Sequence, residues 1–402
     1  MGKVWIEKIF DDPEIYVLRV DDGKIRYFEA VWEIPEGITY NAYLLKLPKA
    51  TVLVDGWKSD YSEEFLKALS KLVDPAEITH VIVHHTEPDH SGTLPKVLEA
   101  NGYRAKILCS AFAKRLLENF YDITENVNVV SDGERVNVSG KTFRFLMVPW
   151  LHWPDTMVTY LEEDGVLLGC DVGGGYSIPN ALDDSNDSVV REYLPFVTKY
   201  VVTVIGHYRK YILENLEKLK SLPIKAILPG HGLVWRRSPE ILLRHYLEVA
   251  HGKVEEGKVL VLYDSMYGFV EKLMDEVLKR LDGFGMKPVV FKFSDSERSF
   301  VSDVLSHVPS SQALIFGVST YEAHLHPVVE HVVRLIAEKA SYEKPVLVFS
   351  VHGWAGVAEK IMGEILGKTH LKVVEFVEVR GGKTEEAKIS EAIEKLLKTL
   401  GR

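Results

Sequence analysis

Val81-Ile82-Val83-His84-His85-Thr86-Glu87-Pro88-Asp89-His90 is the stretch on which the reading of this chain turns. A β-branched run drives straight into three histidines and two carboxylates. Thr79 to Val83 is mostly apolar and too short for a helix, so it reads as a buried strand. Pro88 holds Glu87 extended. His85, Glu87 and Asp89 stand at i, i+2 and i+4, which on extended backbone point the same way. His90 follows directly, at the start of a helix expected over Ser91 to Glu99. Imidazoles and carboxylates without a thiolate are a ligand set for a transition metal. His84 faces the other side and is set apart. The competing reading is a polar strand end with solvated histidines, and the rest of the chain decides against it.

Three later segments repeat one pattern, a buried strand that ends on a ligand type. Phe143 to Val148 runs out to His152, Val166 to Cys170 ends on Asp171, and Ala226 to Gly230 ends on His231. With the first cluster they make seven candidate ligands: His85, Glu87, Asp89, His90, His152, Asp171 and His231. All lie at strand ends, where α/β enzymes place their sites. That is too many for one tetrahedral zinc and suits two metals that share a carboxylate.

The bulk properties narrow the field. The chain has 402 residues, which is room for two cores. Its net charge of −10 argues against broad nucleic-acid or anionic-membrane binding. No apolar run reaches the length of a membrane span, and Met1-Gly2-Lys3-Val4-Trp5 lacks the shape of a signal peptide, so a cytoplasmic protein is expected. Cys109 and Cys170 form no CxxC pair, which excludes a zinc ribbon, a fused rubredoxin module and a Cys-ligated iron–sulfur cluster. Both are expected in the core.

Several other features carry bland expectations. Asp183 to Asp187 lacks the glycine and terminal Glu of a calcium loop and reads as a solvated acidic loop. Gly173-Gly174-Gly175 reads as a flexible loop beside the metals. Trp235-Arg236-Arg237 reads as surface, and His207 as a packed residue of a largely helical stretch.

After the helix expected over Glu240 to Ala250 and a polar linker, 251–257, the pattern changes. Five strands alternate with helices from Lys258 onward, which is the doubly wound plan. Three loops at strand C-termini converge there. The first runs through Ser265, Met266, Tyr267 and Gly268 into a helix that begins Phe269-Val270, so its backbone N–H groups suit a phosphate. The second carries Thr320 and Tyr321. The third carries Ser350, His352, Gly353, Trp354 and Gly356. Tyr321 and Trp354 suit the flanks of a planar ring.

The order His-x-Glu-x-Asp-His, then His152, Asp171 and His231, resembles the metallo-β-lactamase-like domain of the flavodiiron proteins, and the second half resembles a flavodoxin. Zinc hydrolases of the same superfamily usually show His-x-His-x-Asp-His, and here Glu87 replaces the second His. A carboxylate makes the site harder and suits iron better than zinc. The resemblance implies an N-terminal αββα sandwich over 1–253 and a flavodoxin-like, doubly wound, parallel five-stranded sheet over 258–402. It implies one iron held by His85, Glu87 and His152, another by Asp89, His90 and His231, and Asp171 as the bridge. It implies FMN in the second half, with Ser265, Tyr267 and Gly268 at the phosphate, Thr320 and Tyr321 near the ring, and Ser350, Gly353, Trp354 and Gly356 in the third loop. Phe269-Val270 departs from the Asn-Thr or Ser-Thr usual at that point of a flavodoxin. The implied activity is reduction of O2 to water or NO to N2O, with electrons relayed through FMN. The implied partners are an external donor, rubredoxin or a flavin reductase, and a second copy in a head-to-tail dimer or a dimer of dimers. The alternative is a binuclear zinc hydrolase with an accessory flavodoxin-like domain.

Overall fold

The computed structural model describes residues 2–383 and 385–402. It divides into two compact units, with the boundary between Leu247 and Glu248.

In the first unit two sheets pack face to face. One has seven strands in the order Val4–Asp11, Glu14–Asp22, Ile38–Leu47, Ala50–Val54, His80–Val83, Lys106–Cys109, Val127–Val129. Its first four strands are antiparallel, and the pairings from Ala50–Val54 onward are parallel. The other sheet orders Arg135–Val138, Lys141–Met147, Met157–Leu161, Val166–Cys170 and Ala226–Pro229, parallel only at its last pair. Apolar residues spaced two apart face the partner sheet: Ile15 and Val17, Tyr43 and Leu45, Val52 and Val54 from one, Phe143 and Phe145, Val166 and Leu168 from the other. All are buried in one core, and each such side chain contributes roughly 1.5–3 kcal/mol by leaving water. The parallel strands of both sheets run their C-termini toward the candidate ligands.

Two strands of this unit carry no period-two signal. Val4–Asp11 is a sheet edge, mostly exposed or half-buried, and Met157–Leu161 is buried on both faces. The helix expected over Ser91 to Glu99 is in fact two pieces, Pro88–Ser91 and Leu94–Asn101. The break lies at Gly92, where a Cβ would stand 2.5 Å from the backbone nitrogen of Ser59, and at Thr93, whose hydroxyl and backbone N–H are both engaged by the backbone of Trp57.

The second unit is a parallel sheet in the order Lys287–Ser294, Lys258–Ser265, Ala313–Tyr321, Lys344–His352, Leu371–Arg380. A two-residue strand, His324–Leu325, folds back on Thr320 and Tyr321. The helices Phe269–Gly283 and Glu386–Thr399 cover one face and build its core with Val259, Val261, Ile315, Leu347 and Phe349. Helix Val301–His307 was not signalled by the sequence. The polar linker is tied down: Glu255 N–H donates to Ser310 O at 2.8 Å and Gly257 N–H to Gln312 Oε1 at 2.7 Å.

Candidate functional site

All seven candidate ligands meet at one end of the sandwich. Two groups form. His85, Glu87, His152 and Asp171 place ligand atoms within 4.8 Å of one another, and so do Asp89, His90 and His231. The route to this meeting differs in part from the extended-strand argument. Glu87 is extended, with φ −56° and ψ 137°, as Pro88 requires. Asp89, however, lies in the helical turn Pro88–Ser91 and reaches the site from there. Asp171 is turned out of its strand by Cys170, whose φ of 48° is in the left-handed region. Gly230 makes room for His90: a Cβ there would stand 2.5 Å from the imidazole Cε1.

Asp171 is the centre of the arrangement. Its Oδ2 lies 3.4 Å from His152 Nε2 and 3.5 Å from His85 Nε2. Its Oδ1 lies 2.8 Å from His90 Nε2 and 3.4 Å from His231 Nε2, and accepts from the Tyr200 hydroxyl at 2.8 Å. Glu87 Oε2 is 2.9 Å from His152 Nε2, and Asp89 Oδ2 is 3.4 Å from His231 Nε2. Burial alone would push Asp171 up, but His90, His152 and His231 hold its carboxyl well below the usual range. Burial likewise pushes His152 and His231 down, yet the facing carboxylates win and take them up to about 9 and about 10. The field at this spot strongly favours positive charge. Asp89 Oδ1 and Oδ2, His152 Nε2, Asp171 Oδ2 and His231 Nε2 are buried without a hydrogen-bond partner. Unpaired buried polar atoms are costly, and this many aimed at one space fit metal ions.

The second group's His231 is fixed from behind by Thr39, whose carbonyl accepts from Nδ1 at 2.7 Å. Phe28, Tyr40 and Tyr200 ring it at centroid distances of 6.2, 5.8 and 5.6 Å. An opening of about 570 Å³, lined by Phe28, Tyr40 and Lys58 among others, leads onto Glu87 and Asp89. None of Thr39, Tyr40, Tyr200 or Asp155, which contacts His85, carries a spacing signal in the sequence. His84 stands apart as expected: its ring sits between Asp55 Oδ2 and Thr159 Oγ1, 2.8 Å from each. Both cysteines are buried and unpaired. Burial pushes the Cys109 thiol up to about 12, and burial together with the neighbouring Asp55 and Asp171 carboxylates raises Cys170 strongly.

In the second unit a pocket of about 260 Å³ opens at the C-terminal ends of the strands. Met266, Tyr267, Phe269, Val270, Thr320, His352, Gly353 and Trp354 line it, joined by Ser319, Val351 and Gly381, which the sequence did not single out. Gly268 caps the helix in the left-handed region at φ 80°, and its N–H donates to Ser265 Oγ at 3.1 Å. Tyr267 and Trp354 are 82% and 77% exposed, which leaves two aromatic faces free beside the opening. Ser265, Gly268, Tyr321, Ser350 and Gly356 are not among its lining residues. Ser350 is buried and donates to Glu378 at 3.4 Å. Val270 both lines the pocket and packs in the core, so its side chain is committed inward.

Four bland expectations need correction in whole or in part. The acidic loop is not merely solvated: Asp183 pairs with Arg236, Asp187 with Arg237, and Asp184 accepts from the backbone of 236–238. Trp235 is fully buried, against the surface expectation, while Arg236 and Arg237 are exposed as expected and clasp the loop. The Gly173 to Gly175 loop is packed: a Cβ on Gly175 would meet the Tyr193 hydroxyl at 2.6 Å. His207 is exposed, stacked edge-on against Tyr208.

Comparison with known proteins agrees with this geometry. Residues 38–232 match the family described as ODP family beta lactamase, and residues 261–397 match flavodoxin. A nitric oxide reductase of Moorella thermoacetica is 30% identical over 365 residues, 90% of each chain. Among solved structures, a variant of the flavo di-iron protein of Thermotoga maritima is 61% identical with a TM-score of 0.97, covering 100% of this chain and 99% of that one. The rubredoxin oxygen:oxidoreductase of Desulfovibrio gigas is 25% identical with a TM-score of 0.92 over 99% of each chain. The resemblance carried by His-x-Glu-x-Asp-His and the three strand-end loops is borne out, and the chain belongs to the flavodiiron protein family.

Proposed function

We propose that this chain is an oxidoreductase that reduces dioxygen to water or nitric oxide to nitrous oxide at two irons, with electrons relayed through FMN. The observation that carries this is the division of Asp171. One of its oxygens serves His85 and His152, the other His90 and His231. His85, Glu87 and His152 would hold one iron, and Asp89, His90 and His231 the other. The irons supply redox equivalents and Lewis acidity, and FMN supplies single electrons. The protein supplies the geometry. Phe28, Tyr40 and Tyr200 exclude water around His231, and the opening onto Glu87 and Asp89 admits a small substrate. Analysis of metal and flavin content tests this against the zinc-hydrolase alternative. Iron and yellow flavin support it, and zinc with hydrolase activity overturns it.

Residues 258–402 are expected to fold alone and bind FMN, since their sheet and core are self-contained. The check is circular dichroism and flavin titration of that fragment. A fragment that folds but never takes up FMN sinks the ligand assignment.

An external donor is part of this reading, and rubredoxin is the first candidate because the Desulfovibrio gigas relative is named for it. Strand Lys258–Ser265 leads into Ser-Met-Tyr-Gly, not the Gly-x-Gly-x-x-Gly of a nicotinamide site. NADH alone should therefore drive turnover at least about tenfold more slowly than reduced rubredoxin. Stopped-flow oxidation of both donors decides it, and equal rates contradict an obligatory external donor. A head-to-tail homodimer is also part of this reading, to be tested by sedimentation. So is a cytoplasmic location; among the described residues no helix is long and apolar enough to cross a membrane.

A further inference from the structure

His85 turns Nε2 toward the cluster, 3.4 Å from Glu87 Oε2 and 3.5 Å from Asp171 Oδ2. Its far nitrogen, Nδ1, lies 3.1 Å from Asp155 Oδ1. Asp155 is fully buried. Its Oδ2 accepts from the Thr86 backbone N–H at 2.8 Å and from the Thr86 hydroxyl at 2.6 Å. The Ser110 hydroxyl anchors its backbone, donating to the Asp155 carbonyl at 2.9 Å. The other group is backed differently. His231 rests on the neutral carbonyl of Thr39, and His90 Nδ1 is buried without a partner.

We propose that Asp155 is the positioning residue that locks His85 in its metal-binding tautomer, and so sets the affinity of the position built from His85, Glu87 and His152. This rests on the ligand set proposed above. The Thr86 N–H is an obligatory donor and claims one oxygen of Asp155. A carboxylate has a second oxygen that only accepts, so His85 must donate from Nδ1. The Nε2 lone pair is then free to face the metal, and the anion behind the ring raises its basicity. An asparagine at 155 has the same shape but one acceptor. Thr86 takes that oxygen, and the amide NH2 faces His85 Nδ1, which must now accept. The ring proton moves to Nε2, the atom that has to bind. The metal position of Asp89, His90 and His231 has no such dependence, so the two positions are unequal by construction.

The experiment is anaerobic titration of metal-free, full-length protein with ferrous iron, in wild type and in Asp155→Asn, Asp155→Glu and Thr86→Val. Asp155→Asn is expected to weaken one iron of the pair by about 10- to 100-fold, the range seen when a partner behind a ligand is lost. Thr86→Val keeps the carboxylate and should follow the wild-type curve. Asp155→Glu keeps two accepting oxygens and should hold the first iron better than Asp155→Asn. Melting temperatures with and without iron add a second readout. The gap between the loaded and metal-free forms should narrow in Asp155→Asn. An unchanged titration, the reverse order of the Asn and Glu variants, or an equal drop in both melting temperatures makes Asp155 a structural cap for Thr86 and overturns the inference alone. Wild-type protein that takes up no iron overturns the ligand set, and this inference with it.

Discussion

Asp171→Asn is expected to abolish binding of the metal pair while leaving the fold in place. The amide keeps the shape, and its oxygen still accepts from Tyr200, 2.8 Å from Oδ1 in the native protein. It cannot serve both groups. Only one oxygen remains, and the NH2 would point a donor at His85 and His152, whose Nε2 atoms stand 3.5 and 3.4 Å from Oδ2. The charge that offsets two cations is lost as well. Partners behind ligands already cost 10- to 100-fold, so a shared ligand should cost more than about 100-fold in affinity, with turnover falling at least as far. Iron per chain by mass spectrometry and O2 and NO consumption give the result. A variant with native iron content and rate shows that Asp171 does not bridge.

Glu87→His should change which metal the chain selects. Glu87 is the carboxylate that separates this sequence from the His-x-His-x-Asp-His of zinc hydrolases. It is extended and half-buried, with Oε2 2.9 Å from His152 Nε2 and 3.4 Å from His85 Nε2. Burial would raise its pKa, but His152 and His85 hold it below the usual range, so it contributes a full negative charge. Replacing it by imidazole removes that charge and adds a third histidine to one group, a donor set suited to zinc. In medium with equal iron and zinc, the zinc-to-iron ratio should rise by about tenfold or more, roughly 1.4 kcal/mol of differential binding. Elemental analysis reads this directly, and an unaltered ratio would remove Glu87 from the account of metal choice.

Much of this was legible before the structure. The strand ends at His84, Asp171 and Pro229-Gly230 are written locally, by short apolar runs that stop at Pro, Gly or a polar ligand-type residue. The same holds for the strand–loop–helix units after Lys258. Elements without a clean period escaped: the edge strand Val4–Asp11, the fully buried Met157–Leu161 and helix Val301–His307. The helix after His90 was drawn as one unbroken piece because nothing local announces that Gly92 must admit the Ser59 backbone. The acidic loop and the Trp-Arg-Arg run each looked unpartnered because their partner lay some fifty residues away, Arg236 with Asp183 and Arg237 with Asp187.

By itself, then, the sequence determined the two-domain plan, the identities of the seven ligand-type side chains and their placement at strand ends. These follow from backbone preference and hydrophobic period, which act over a few residues. Only the tertiary structure decided how they are shared and held. His85 meets Asp155 across 70 positions, His90 meets Asp171 across 81, and His231 meets Thr39 across 192. Each pair is brought together when the inward faces of two sheets close on one core. The division of one carboxylate between two groups, and the unequal backing of their histidines, are consequences of that closure, and no spacing along the chain encodes them.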